Sequence, residues 1–142
     1  GNTISEVMET YLERVVGENV YNYYGRQFPL LVKFLDINGK LSVQVHPDDD
    51  YASRIENDRG KTEMWYIVEA DEGTGIYLGF KKDVTKEEYE QAIKDHTLTD
   101  LLNFFEVKAG ECYFIPSGTI HFCLFFFAIY NLFYVQIYRF IR

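Results

Sequence analysis

Gly110-Glu111-Cys112-Tyr113-Phe114-Ile115-Pro116-Ser117-Gly118-Thr119-Ile120-His121 is the stretch on which the fold turns. The apolar run 112–115 has strand character and stops at Pro116, which cannot donate to a sheet ladder. Pro116-Ser117-Gly118 is turn-forming chemistry, and a tight turn there aims the imidazole of His121. A histidine delivered in this way is a candidate metal ligand, although a lone histidine more often serves structure.

Upstream, two apolar runs flank Asn38-Gly39, the strongest short hairpin signal. They are 29–37 (PLLVKFLDI) and 41–46 (LSVQVH). In the second run Leu41, Val43 and Val45 point one way, and Ser42, Gln44 and His46 the other. Gln44 and His46 therefore share a strand face, about 7 Å apart along the backbone. Pro47 and the acidic turn Asp48-Asp49-Asp50 end the run. After the turn-forming Asp58-Arg59-Gly60, Glu63 opens a further strand over 63–69 (EMWYIVE), and another follows over 76–80.

Helical patterning appears in two places. At the N-terminus Ile4, Val7, Met8, Tyr11, Leu12, Val15 and Val16 fall on one helical face, with a Thr3–Glu6 capping box and Gly17 as a stop. Further on, Thr85 and Glu88 form a second capping box ahead of Tyr89, Ile93 and Leu98. Leu101, Leu102, Phe104 and Phe105 read as a second short helix. Short strands, turn punctuation and one helical insert predict a mainly β sandwich or barrel with α decoration, a single domain over 1–142. At 142 residues the chain is long enough to bury a core without staples.

Composition narrows the function classes. With 22 Asp and Glu against 14 Lys and Arg the net charge is −8, and no basic stripe is available to neutralise phosphates. Nucleic-acid binding is not expected. An anionic small substrate has to be met by a metal or by one or two placed cations, since the global field repels it. Cys112 and Cys123 lack the spacing of a zinc ribbon or redox pair, and free thiols in a reducing cytoplasm are the default.

The segment 122–138 differs in kind. It carries no charge and is crowded with Phe, Tyr, Ile and Leu. Its length only touches the lower limit for a bilayer span, about 17 residues, and Asn131 and Gln136 interrupt it. Buried strands are the preferred reading over a membrane tail, and out-of-frame coding sequence is a third. An exposed patch holding Phe125, Phe126, Phe127, Phe133 and Tyr134 would drive association, so a homodimer through exposed strands or this tail is an expectation.

Singly, Gln44, His46 and Glu63 read as surface groups. Their combination with His121 matches a known pattern. The 110–121 stretch fits the second cupin motif, G-x5-P-x-G-x2-H, although Phe125 stands where that motif expects Asn. Gln44 takes the place of the first motif's first His. Leu41-Ser42-Val43-Gln44-Val45-His46-Pro47-Asp48-Asp49, with Gly60-Lys61-Thr62-Glu63-Met64-Trp65-Tyr66, resembles type I mannose-6-phosphate isomerase.

The resemblance runs from about Ile4 to His121. It implies a cupin double-stranded β-helix of jelly-roll type, with an N-terminal helix and a short helical insert. It also implies Zn2+ or another divalent metal held by Gln44, His46, Glu63 and His121, and makes Lys61 an active-site residue. Without it, Lys61 reads as a turn residue. Tyr138-Arg139 stands as the counterpart of a family Thr-Tyr-Arg whose Arg faces the substrate, so Arg139 is a second candidate catalytic residue, though the polar run that precedes it in the family is missing. The family also has strands before the first helix and more chain after the arginine. The implied activity interconverts mannose 6-phosphate and fructose 6-phosphate. The alternative is a non-catalytic or truncated metal-binding cupin that binds a sugar or sugar phosphate.

Overall fold

The computed structural model describes residues 1–26, 28, 30–38, 42–124 and 131–139, with backbone alone from 124 onward. The chain divides into two compact units, Gly1–Leu30 and Leu31–Arg142.

The first unit holds three short helices, α1 (Ile4–Tyr11), α2 (Glu13–Val16) and α3 (Glu18–Tyr24). The Thr3–Glu6 capping box closes the start of α1, each partner satisfying an otherwise orphaned N–H of the other. The single helix expected over this stretch is broken at Leu12, whose backbone turns to φ 47°, ψ −124°. Gly17, with φ 86°, separates α2 from α3. Apolar periodicity marks a face; it does not require the backbone beneath it to be continuous, nor the whole face to be covered. Met8 is fully buried, whereas Ile4, Tyr11 and Val15 stay exposed.

The second unit is a pair of antiparallel sheets. Its strands are β1 (Leu30–Asn38), β2 (Thr62–Ala70), β3 (Gly75–Phe80), β4 (Leu102–Glu106), β5 (Cys112–Ile115), β6 (His121–Leu124) and β7 (Asn131–Arg139). They form a four-stranded sheet in the order β1-β7-β2-β5 and a three-stranded sheet in the order β4-β3-β6. Strand alternation on β2 buries Glu63, Trp65 and Ile67 and turns Tyr66 and Val68 outward. Ile37, Trp65, Ile67 and Ile115 of one sheet meet Ile76 and Cys123 of the other in one cluster, so the core lies between the sheets. Each such fully buried aliphatic side chain contributes about 1.5–3 kcal/mol.

A second cluster, Tyr77, Leu102, Ile120 and Phe122, is covered by Tyr89 and Leu98. Tyr89 belongs to α5 (Lys86–Lys94), which opens with the Thr85–Glu88 capping box and follows the short helical turn α4 (Asp49–Tyr51) in sequence. Leu98 lies in a single 3-10 turn, Leu98–Leu101.

Several local expectations give way to non-local pairing. Phe104 and Phe105 are in β4 and not in a helix, because that segment pairs with β3 through Tyr77↔Phe104 and Ile76↔Phe105. The turn of the hairpin expected at Asn38-Gly39 lies outside the described residues; among those described, the neighbour of β1 is β7. Residues 39–41 lie outside the described residues, and Ser42 to His46 make one isolated bridge, Gln44↔His121, in place of a strand. Of the aromatic segment, Phe125, Phe126 and Phe127 lie outside the described residues, while Phe133 and Tyr134 are in β7, paired with Glu69 and Ile67 of β2. Among the described residues no helix is long and apolar enough to cross a membrane. Among the described residues no disulfide joins Cys112, which is exposed, and Cys123, which is buried.

Candidate metal centre

Three segments distant in sequence bring their side chains to one point. Glu63 is the second residue of β2 and faces inward, 1% exposed. A buried carboxylate needs partners, and Glu63 has them on both oxygens. Its Oε1 lies 2.8 Å from His46 Nε2 and 2.9 Å from Lys61 Nζ. Its Oε2 accepts the indole N–H of Trp65 at 2.8 Å. Lys61 Nζ is also 3.1 Å from His46 Nε2.

His121 begins β6 on the opposite sheet, where it pairs with Leu78. Its Nδ1 lies 2.8 Å from the carbonyl oxygen of Thr119. A carbonyl only accepts, so Nδ1 carries the proton, and in the neutral ring Nε2 presents its lone pair. That Nε2 is buried, has no hydrogen-bond partner among the described residues, and stands 3.5 Å from Glu63 Oε2. Two acceptors facing each other out of water are unfavourable unless a cation lies between or beside them. One donor atom each from His46, Glu63 and His121 lie within 4.8 Å of one another. Two imidazole nitrogens and a carboxylate suit a divalent transition ion, so the residues present fit such a group.

The backbone explains how His46 is held without a strand. Gln44 and His121 exchange both backbone hydrogen bonds, at 3.0 and 2.9 Å. Gly118 N–H donates to His46 O at 2.7 Å, and Lys61 N–H donates to Pro47 O at 3.0 Å. Gly60 N–H donates to Asp49 Oδ1 at 2.9 Å. At Gly60 the segments touch so closely that an added Cβ would stand 2.4 Å from Asp48 C and Asp49 N. Only glycine permits that approach.

A family model described as phosphomannose isomerase type I, catalytic domain, matches residues 1–62. A probable mannose-6-phosphate isomerase of Bacillus subtilis, GmuF, is 50% identical over 98 residues, 68% of this chain and 31% of that protein. The mannose-6-phosphate isomerase of Streptococcus mutans is 50% identical over 94 residues, 66% of this chain and 29% of that protein. The crystal structure of the mannose 6-phosphate isomerase from Bacillus subtilis superposes with a TM-score of 0.81 at 32% identity, covering 98% of this chain and 41% of that one. The chain belongs to the type I phosphomannose isomerase family. It spans about a third of the length of the two curated relatives.

Of the residues that the phosphomannose isomerase resemblance singled out, the structure gathers His46, Lys61, Glu63 and His121. Gln44 is bound to His121 through the backbone, and its side-chain amide nitrogen lies 3.4 Å from Ser42 Oγ. Arg139 ends β7 as the partner of Thr62, one residue out of phase with the Glu63↔Tyr138 pair. Its side chain lies outside the description. Sequence reasoning did not single out Trp65 or the carbonyl of Thr119. Trp65 was findable, since a residue two positions from an inward glutamate on a strand shares its face.

Proposed function

We propose that this chain carries the metal centre of an aldose–ketose isomerase acting on mannose 6-phosphate and fructose 6-phosphate, with zinc or a similar divalent ion as cofactor. The convergence of His46 Nε2, the Glu63 carboxylate and the orphaned His121 Nε2 is the observation that carries it. Gln44 is the fourth proposed ligand, placed beside His121 by the backbone bridge. When bound, the ion supplies Lewis acidity toward the oxygens of an open-chain sugar, where an enediolate must be stabilised. His121 arrives with its proton fixed on Nδ1, so its Nε2 is ready to donate electrons without a tautomer change. Trp65 and Lys61 fix the Glu63 carboxylate from both sides. The Lys61 side chain is one quarter exposed, so it offers a counter-charge to an anionic sugar phosphate in an otherwise acidic protein. Arg139 is proposed as a second cation for that substrate.

The test is elemental analysis and a coupled isomerase assay on the purified, zinc-loaded chain, with Lys61→Ala beside it. One zinc per chain and turnover that falls about 100-fold or more in Lys61→Ala, with the melting temperature retained, is the expected result. Turnover unchanged in Lys61→Ala removes that residue from the mechanism. Zinc bound without isomerisation favours the non-catalytic sugar-phosphate-binding reading.

A further inference from the structure

Trp65 is the single tryptophan of the chain and is 1% exposed. It lies one strand alternation from Glu63 on β2. Its indole N–H donates to Glu63 Oε2, and its ring meets the His121 ring edge-on, with centroids 5.5 Å apart at 79°. One side chain therefore touches two of the three candidate ligands.

A glutamate side chain has three rotatable bonds, the last of them broad, so packing alone does not set the plane of the carboxylate. The indole nitrogen is a donor only, and a buried one needs an acceptor. Pairing it with one carboxylate oxygen sets that plane and leaves the other oxygen toward His46 Nε2 and Lys61 Nζ. Phenylalanine at this position keeps an aromatic ring against His121 and removes the donor.

The geometry points to Trp65 as a positioning residue of the metal centre, whose N–H fixes the plane of the Glu63 carboxylate and so holds its second oxygen toward the His46 and Lys61 nitrogens. This role rests on reading the cluster as a metal centre. Hydrogen-bond partners behind a ligand typically change metal affinity 10–100-fold, and that is the size of effect expected here.

Three proteins test it: the wild-type chain, Trp65→Phe, and a chain in which Trp65 is replaced by benzothienylalanine, the same bicycle with sulfur in place of N–H. Zinc affinity is measured by chelator competition, cobalt(II) binding by its visible absorption, and the stability of the metal-free proteins by thermal melting. Cobalt(II) should quench the emission of the wild-type chain, since its one tryptophan is at the site. Both variants should bind zinc about 10–100-fold more weakly and show altered cobalt(II) bands, because a carboxylate freed to rotate changes the ligand field. The isostere, which keeps the ring volume, should melt with the wild type. Lower melting with unchanged affinity and spectrum assigns Trp65 to packing alone and overturns the role. Equal zinc affinity in all three proteins overturns the role but leaves the metal centre standing. A wild-type chain that binds neither ion overturns both.

Discussion

Two arms of the second unit deliver histidines to the same carboxylate, and they are built differently. Residues 116–121 form a turn that runs directly into β6, so His121 inherits its position from a strand paired with β3. Residues 44–49 form no strand, and the segment is held at His46, Pro47 and Asp49 by single hydrogen bonds from Gly118, Lys61 and Gly60, together with the bridge at Gln44. The first arm is a local structure with a local sequence signal. The second is a segment whose shape is imposed by its neighbours. Ladder bonds act together, whereas isolated bonds each contribute about 0.5–1.5 kcal/mol, so the second arm is the softer of the two.

The severest way to break the comparison is to remove the point where both arms meet. Glu63→Gln keeps the shape of the side chain and removes its charge. Zinc per chain should fall from one to none by elemental analysis. Breaking a buried ion pair costs about 3–5 kcal/mol, and the lower end is expected because Lys61 can turn its partly exposed ammonium to water. Urea unfolding of the metal-free protein reads that loss. Full zinc occupancy in Glu63→Gln would show that the arms do not converge on a metal through this carboxylate.

A milder pair of substitutions separates the arms. Gly60→Ala forces a Cβ into the backbone of Asp48 and Asp49, which supports only the His46 arm. Overpacking of this kind costs about 1–3 kcal/mol. At Gly118, with φ 80°, an added Cβ would meet open space, so Gly118→Ala meets a backbone penalty alone, about 1–2 kcal/mol. Both should lower the urea midpoint, Gly60→Ala at least as much as Gly118→Ala. The reverse order, with Gly60→Ala nearly neutral, would mean that close approach does not hold the softer arm.

The difference between the arms also explains what was legible in the sequence. Cys112 to Ile115, the proline–glycine turn and His121 lie within one short window, and both the strand and the turn formed as read. So did β2, whose alternation put Glu63 inward, and the Thr85 capping box. The stretch around Gln44 carries an equally clear alternation, yet its partner is His121, far along the chain, and the alternation became one bridge. Phe104 and Phe105 were taken into a strand by β3 for the same reason. Leu12, bent out of the helix, had no sequence signal at all. Ligand types were readable because chemistry restricts them, and the resemblance supplied the set. The hydrogen bond from Trp65 to Glu63 was not read, because alternation places two residues on a face without saying which atoms meet.

The smallest expected effect concerns the strand that leads into the firmer arm. Tyr113 on β5 pairs in register with Trp65, and its hydroxyl donates to Glu111 Oε2 at 2.7 Å. Burial first, and then this hydrogen bond, push the Tyr113 phenol up to about 12. A raised acid favours its neutral form in the folded state. Its contribution is therefore complete below the unfolded phenol value, near 10, and is lost as pH rises from about 10 to about 12. Glu111 is shifted the opposite way, lowered first by the Tyr113 hydroxyl and then by the Lys108 N–H, so its contribution is lost as pH falls through the folded value. Tyr113→Phe removes the phenol and the leading cause of the Glu111 shift together. Melting temperature against pH should flatten on the alkaline limb and, more weakly, on the acid limb, since solvent reaches the half-buried Glu111. Zinc affinity at neutral pH should not change, because neither group touches His46, Glu63 or His121. A Tyr113→Phe chain that keeps the wild-type alkaline slope would show that this strand is not anchored by the pair, and that the firm arm is held by its ladder alone.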